Sequence, residues 1–174
     1  MRRADAESPD RSLFHGGPRL AKSAGMTKSP KRILVATDFS AGSDEALAHA
    51  IDLATGTGAT LEILFVLEPE LEAFPFGLNL RGDDGSLMAY VDLELSRRAD
   101  LVSKAGLTCH TKTIPGDAAA EIVKHARDIG ADMIVVGTHG RRGLAHVVLG
   151  SVAEKVVQRS TCPVLTIPFS KKAA

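Results

Sequence analysis

The sequence predicts an α/β fold: a mainly parallel sheet of five strands, with four helices packed on both faces. Three observations predict it. Short apolar runs alternate along the chain with segments of helical period. Several of those runs are continuously apolar, as strands covered on both faces are. Glycine or proline stands at many of the boundaries between them.

Each element follows from local chemistry. Ile33-Leu34-Val35-Ala36 reads as a buried strand. Ser40 or Ser43 caps a helix through about Thr55, with Ala46, Leu47, Ala50, Ile51 and Leu53/Ala54 on its apolar stripe. Gly56 and Gly58 stop that helix. Leu61 to Leu67 is a second strand. A long loop over 68–84 contains Pro69, Pro75, Gly77 and Gly82, and its Phe74 and Phe76 either cover a pocket or pack on a partner. A second helix runs from about Ser86 to Lys104, with Leu87, Val91, Leu95 and Val102 on one side, and Gly106 ends it. Leu107 to Ile114 alternates apolar and polar residues, as an outer strand does. Asp117 caps a third helix that turns Ile122, Val123, Ala126 and Ile129 inward. Met133 to Val136 is a fourth strand, Ser151 to Gln158 a fourth helix, and Val164 to Ile167 a last strand between Pro163 and Pro168. No internal repeat is visible.

The 174 residues fit one domain plus a tail. Residues 1–30 are charged, rich in Gly, Pro and Ser and without periodicity, which predicts a disordered extension ahead of a domain over 31–170. Met26 directly precedes Thr-Lys-Ser-Pro-Lys-Arg and the first apolar run, so it is a second candidate start. The net charge of zero divides unevenly: residues 1–32 carry eight Lys/Arg and three Asp/Glu, and the remainder is net −5. A folded part of that sign is a poor candidate for non-specific nucleic-acid binding, where phosphate neutralisation supplies the affinity, and with few aromatics and no Trp its stacking platforms are scarce. No run approaches the roughly 18 apolar residues of a membrane span, and no signal-peptide h-region is seen. Cys109 and Cys162 sit in no CxxC pair and read as buried reduced thiols. The expected setting is cytoplasmic.

The chemistry concentrates in residues 137–151, GTHGRRGLAHVVLGS, with the spacing Gly137-x2-Gly140-x9-Gly150-Ser151. The stretch leaves a buried strand at its carboxyl end and enters a helix at its amino end. Gly137 and Gly140 let the backbone turn and approach a ligand without Cβ clashes, and Gly150 does the same at the helix start. The backbone N–H groups of Ser151, Val152 and Ala153 then face the site with the positive end of the helix dipole behind them. The arrangement reads as a phosphate and ribose cradle. The first strand ends in Ala36-Thr37-Asp38, and if it neighbours strand four, Asp38 and Gly137 face one crevice. An aspartate there accepts hydrogen bonds from adenine or ribose, or holds a divalent cation between phosphates.

These stretches carry a resemblance. ILVATDFS at the first strand, DMIVVGTHGRRGL and LGSVAEKVV around the glycine loop, and CPVLTIP at the end resemble the universal stress protein family, from about residue 30 to residue 168. The glycine spacing is similar to that of its ATP-binding branch. The resemblance implies a doubly wound five-stranded parallel sheet in the order 3-2-1-4-5, of the HUP/adenine nucleotide alpha hydrolase-like kind. It also implies a homodimer through the last strand and ATP as ligand, accompanied by Mg²⁺ or Mn²⁺. By the family's pattern, Asp38 and Val66 contact the adenosine half. Val136, Gly137, His139 and Gly140 wrap the ribose and phosphates. Gly150, Ser151 and Val152 finish the phosphate site, and Ala36, Thr37 and Arg141 complete the set. Ala153 is a departure, since relatives can carry a hydroxyl there.

The other polar residues of the loop read more plainly. His139 lines the pocket or faces solvent, because no second group is spaced to orient it as a base. Arg141 and Arg142 read as loop charges that touch phosphate rather than as an arginine finger, and Gly143 as a turn. His15, His49, His110, His125 and His146 show no metal-ligand spacing. Neither GxGxxG after the first strand nor GxxxxGK[ST] is present. The expected function is an ATP-binding, nucleotide-dependent regulator or sensor in stress response. A slow ATPase with at most weak hydrolysis, and an interaction protein binding another adenine nucleotide such as cyclic AMP, remain open.

Overall fold

The structure, a computed structural model, describes residues 29–69, 84–138 and 149–168. Their elements, in chain order, are β1 (Arg32–Thr37), α1 (Ala41–Thr57), β2 (Thr60–Leu67), α2 (Asp84–Lys104), β3 (Cys109–Pro115), α3 (Ala118–Asp128), β4 (Met133–Gly137), α4 (Ser151–Arg159) and β5 (Val164–Ile167). The five strands form one sheet in the order β3-β2-β1-β4-β5. Every pairing is parallel. The sheet order and helical cover match the doubly wound arrangement expected from the sequence.

The pleat sorts the core into two layers. Ile33, Val35, Leu61, Ile63, Phe65, Met133 and Val135 pack against Ala46, Leu47 and Ala50 of α1 and Val91, Leu95 and Val102 of α2. Their neighbours one residue along, Leu34, Ala36, Leu64, Val66, Ile134 and Val136, pack against Ile122, Val123 and Ala126 of α3 and Ala153 and Val156 of α4. Both faces are covered, so β1, β2 and β4 bury successive residues, as their unbroken apolar runs require. α1 and α2 follow β1 and β2 on one face, and α3 and α4 flank β4 on the other. The winding therefore reverses between β1 and β4.

The helix ends show which residues set them. Ser40 caps α1 by accepting from the Ser43 N–H, and Asp117 caps α3 by accepting from the Ala120 N–H. Gly58, at φ 70°, ends α1 and donates its N–H to the Ala54 carbonyl at 2.7 Å. Gly56 corrects the expected boundary: it lies inside α1, because only Gly58 takes the left-handed conformation that closes the helix. β3 begins at Cys109 rather than Leu107, whose N–H is held by the Val102 carbonyl in the turn leaving α2. Cys109 and Cys162 are free thiols, half-buried rather than fully enclosed. Residues 1–28 and the loop with Phe74 and Phe76 lie outside the described residues.

Candidate functional site

The carboxyl ends of β1 and β4 define the crevice. Val35 pairs with Val135, so both strands end two residues further on, at Thr37 and Gly137. Asp38 leaves β1 directly. Its Oδ1 accepts from the Ser40 N–H at 3.1 Å and from the Ser40 hydroxyl at 2.6 Å. This Asp-x-Ser turn fixes the carboxylate by bonds to its own chain. The same Ser40 starts α1, so the cap and the aspartate are one unit. Between them, Phe39 adopts φ 64°.

Gly137 and Gly150 bring three segments together, and the structure shows what each glycine approaches. A Cβ at Gly137 would lie 2.8 Å from the Gly42 carbonyl oxygen and 3.3 Å from the Ser43 nitrogen. The missing side chain thus lets the first turn of α1 sit on the end of β4. A Cβ at Gly150 would lie 2.7 Å from the Thr138 carbonyl oxygen. That oxygen accepts the Gly150 N–H at 2.7 Å, which folds the start of α4 back onto the end of β4. Both glycines are therefore required by neighbouring protein backbone, which the sequence reading of ligand approach did not anticipate. The contacts run without a break from Asp38 through Ser40, Ser43, Gly42, Gly137 and Thr138 to Gly150.

The start of α4 differs from those of α1 and α3. Its cap residue is Gly150, and no side chain bonds to the first turn. The first intrahelical bond is donated by the Glu154 N–H to the Gly150 carbonyl. The N–H groups of Ser151, Val152 and Ala153 precede it and have no acceptor within the helix. They carry the positive end of the helix dipole at the mouth of the crevice, which suits an anion. Ser151 is exposed, and Val152 is half-buried against the α3 and α4 core layer, as is Leu149.

The expected site residues divide by face. Ala36, Val66 and Val136 belong to the core layer against which Val152 packs, and they keep 6–8% exposure at the carboxyl ends of their strands. Strand alternation turns the Thr37 side chain to the other layer. Its hydroxyl lies 3.1 Å from the Ser43 hydroxyl and accepts the Phe39 N–H, so the side chain organises the β1–α1 loop. Ala153 is likewise turned into the core, at 2% exposure, so a hydroxyl at this position would point away from the helix mouth. His139, Gly140 and Arg141 lie outside the described residues, as do Arg142, Gly143 and His146. The sequence reading missed Thr138, the clasp between β4 and α4, and Ser40, the partner of Asp38. The Asp-x-Ser pattern was the signal that could have found the second.

Two polar features lie away from the crevice. His125 on α3 bonds Glu62 on β2 at 3.0 Å. The Cys109 thiol is pushed up to about 11, first by burial and second by the Glu62 carboxylate. Among the described residues no group of three or more His, Cys, Asp and Glu side chains could hold a metal ion. No helix among them is long and apolar enough to cross a membrane.

A parallel sheet wound in this order, with a glycine-clasped helix start at its switch point, defines a doubly wound α/β protein. Residues 30–168 match the family model described as Universal stress protein family. The universal stress protein MJ0531 of Methanocaldococcus jannaschii is 35% identical over 147 residues, covering 82% of this chain and 84% of that protein. The solved structure of MJ0577 from the same organism superposes with a TM-score of 0.71 at 29% identity, over 82% of this chain and 98% of that one. A crystal structure of a universal stress protein in complex with cAMP superposes with a TM-score of 0.63 at 26% identity, over 82% of this chain and all of that one. The chain belongs to the universal stress protein family.

Proposed function

We propose that this chain binds ATP in the crevice between β1 and β4 and acts as a nucleotide-dependent regulator or sensor in stress response. The observation that carries the reading is the start of α4: a helix N-terminus with no side-chain cap, clasped by Thr138 and Gly150 at the point where the winding reverses. In this reading the phosphates lie on the N–H groups of Ser151, Val152 and Ala153. The adenosine half lies against Ala36, Val66 and Val136, with Asp38 accepting from the base or ribose. His139, Gly140 and Arg141 complete the cradle. The site would supply positioning and charge stabilisation for the triphosphate. Mg²⁺ or Mn²⁺ would be held chiefly by the phosphates, with Asp38 as the carboxylate on hand.

Cyclic AMP is a second reading, favoured by the related crystal structure that contains it. A cyclic phosphate carries one negative charge and places less demand on the helix start. The two separate on which nucleotide co-purifies. Mass spectrometry of ligand released from the native protein should find ATP or ADP; recovery of cyclic AMP alone would replace ATP with the second reading.

The assembly reading is a homodimer through β5, an edge strand in this sheet. The carbonyls of Pro163 and Ile167 accept from Ile134 on β4 and from Thr138 just after it, so the alternating backbone groups of Val164 and Thr166 point to the open edge. An unpaired apolar edge favours a second copy of itself. Leu165 on this strand is 36% exposed.

A further inference from the structure

Phe39 is the one residue other than glycine with positive φ among the described residues, at 64°. A bulky side chain in that conformation is costly and persists only where surroundings impose it. Here they do. The Phe39 ring stacks on Phe65 of β2 at 4.5 Å between centroids and 8° between planes. Tyr90 of α2 meets it edge-on at 6.2 Å. On Phe39 also lies the Arg98 guanidinium, 4.7 Å from the ring centroid.

Arg98 is itself fixed from two sides. It is 6% exposed, on the inner face of α2. Its Nε and Nη2 donate to Asp44 Oδ1 at 2.9 and 2.6 Å. Its Nη1 donates to Glu94 Oε2 at 2.7 Å and to the Glu94 carbonyl at 3.0 Å. A buried cation with two carboxylates and a ring face is held in one orientation. It joins the first turn of α1, the middle of α2 and the β1–α1 loop. One chain neighbour of each stacked ring belongs to the proposed nucleoside site: Asp38 precedes Phe39, and Val66 follows Phe65.

We propose that Arg98 is a positioning residue for the nucleoside end of the crevice: by clamping Phe39 onto Phe65 it keeps the loop in its left-handed turn and presents Asp38 beside Val66. The proposal rests on the nucleotide reading above. Arg98 touches no nucleotide in it and acts through Asp38, so its effect should vanish when Asp38 is absent.

The test is calorimetric titration with ATP and with adenosine of four proteins: wild type, Arg98→Met, Asp38→Ala and the double variant. Arg98→Met keeps the aliphatic packing and removes the guanidinium. It should weaken both ligands equally, by about tenfold, and should cause no further loss in the Asp38→Ala background. Arg98→Lys keeps a charge between Asp44 and Glu94, so it folds even if the methionine variant does not. It lacks the planar face and should shift both affinities in the same direction by a smaller factor. Additive losses, or unchanged affinity in the arginine variants, overturn the proposal while leaving the nucleotide reading intact. A wild type that binds neither ligand overturns both, and that result is read before any variant is made.

Discussion

Replacing Gly137 with alanine tests whether this glycine serves the fold. The added Cβ would lie 2.8 Å from the Gly42 carbonyl oxygen and 3.0 Å from its carbon. Real Cβ atoms do not approach backbone this closely, and no flexible side chain is available to move aside. Either β4 or the first turn of α1 must shift. Overpacking of this kind costs about 1–3 kcal/mol, and a clash with backbone falls in the upper part of that range, about 2–3 kcal/mol. The 139 residues from 30 to 168, at about 2.1 cal/mol/K per residue, give an unfolding entropy of about 0.3 kcal/mol/K. The variant should therefore melt about 7–10 °C lower. Urea unfolding should show a lower midpoint at unchanged slope, which marks lost native stability rather than a changed unfolded state. Nucleotide affinity should fall as well, since the same shift opens the crevice. A variant that melts with the wild type would refute the close approach of α1 to β4.

Other expectations follow from single contacts. Asp38→Ala should weaken ATP and adenosine equally, by about 1–3 kcal/mol in titration calorimetry; a loss confined to ATP with Mg²⁺ would move the carboxylate to the metal. Thr166→Pro removes an N–H from the open edge of β5 without breaking the β4 ladder, so light scattering should show a shift from dimer toward monomer or aggregate. With its thiol raised to about 11, Cys109 stays protonated at neutral pH. In a Cys162→Ser background its alkylation should be slow at pH 8 and accelerate only as the pH nears that value; fast reaction at pH 8 would contradict its burial. A chain beginning at Met26 should match the full chain in melting temperature and ATP affinity, because residues 1–25 show no packing periodicity.

Much of the fold was legible because its signals are local. Ser40 and Asp117 announce helix starts by chemistry that acts over three residues, and the continuous apolar runs at 33–36 and 133–136 require cover on both faces. The strand order came from resemblance, since nothing local tells β4 to lie beside β1. What stayed hidden depends on contacts across the chain. The sequence makes Gly137 and Gly150 loop glycines, but the atoms they must avoid belong to Gly42 and Thr138. Thr37 ends β1 next to Asp38, and which layer its hydroxyl enters follows only from strand alternation counted from the buried register. Arg97 and Arg98 are adjacent on α2, and only Arg98 turns inward. Its partners Asp44 and Phe39 are more than fifty residues earlier. The left-handed turn at Phe39 carries no glycine or asparagine to announce it.

The central claim is that an adenine nucleotide sits with its phosphates on the start of α4. Backbone NMR of the full chain titrated with ATP tests it most directly, because each N–H of that turn reports separately. The account predicts saturable shifts, one site per chain, at the amides of Ser151, Val152 and Ala153. Adenosine should reproduce the shifts at Asp38 and Val66 but not those at the helix start. Saturation by ATP with the amides of Ser151 to Ala153 unmoved would contradict it.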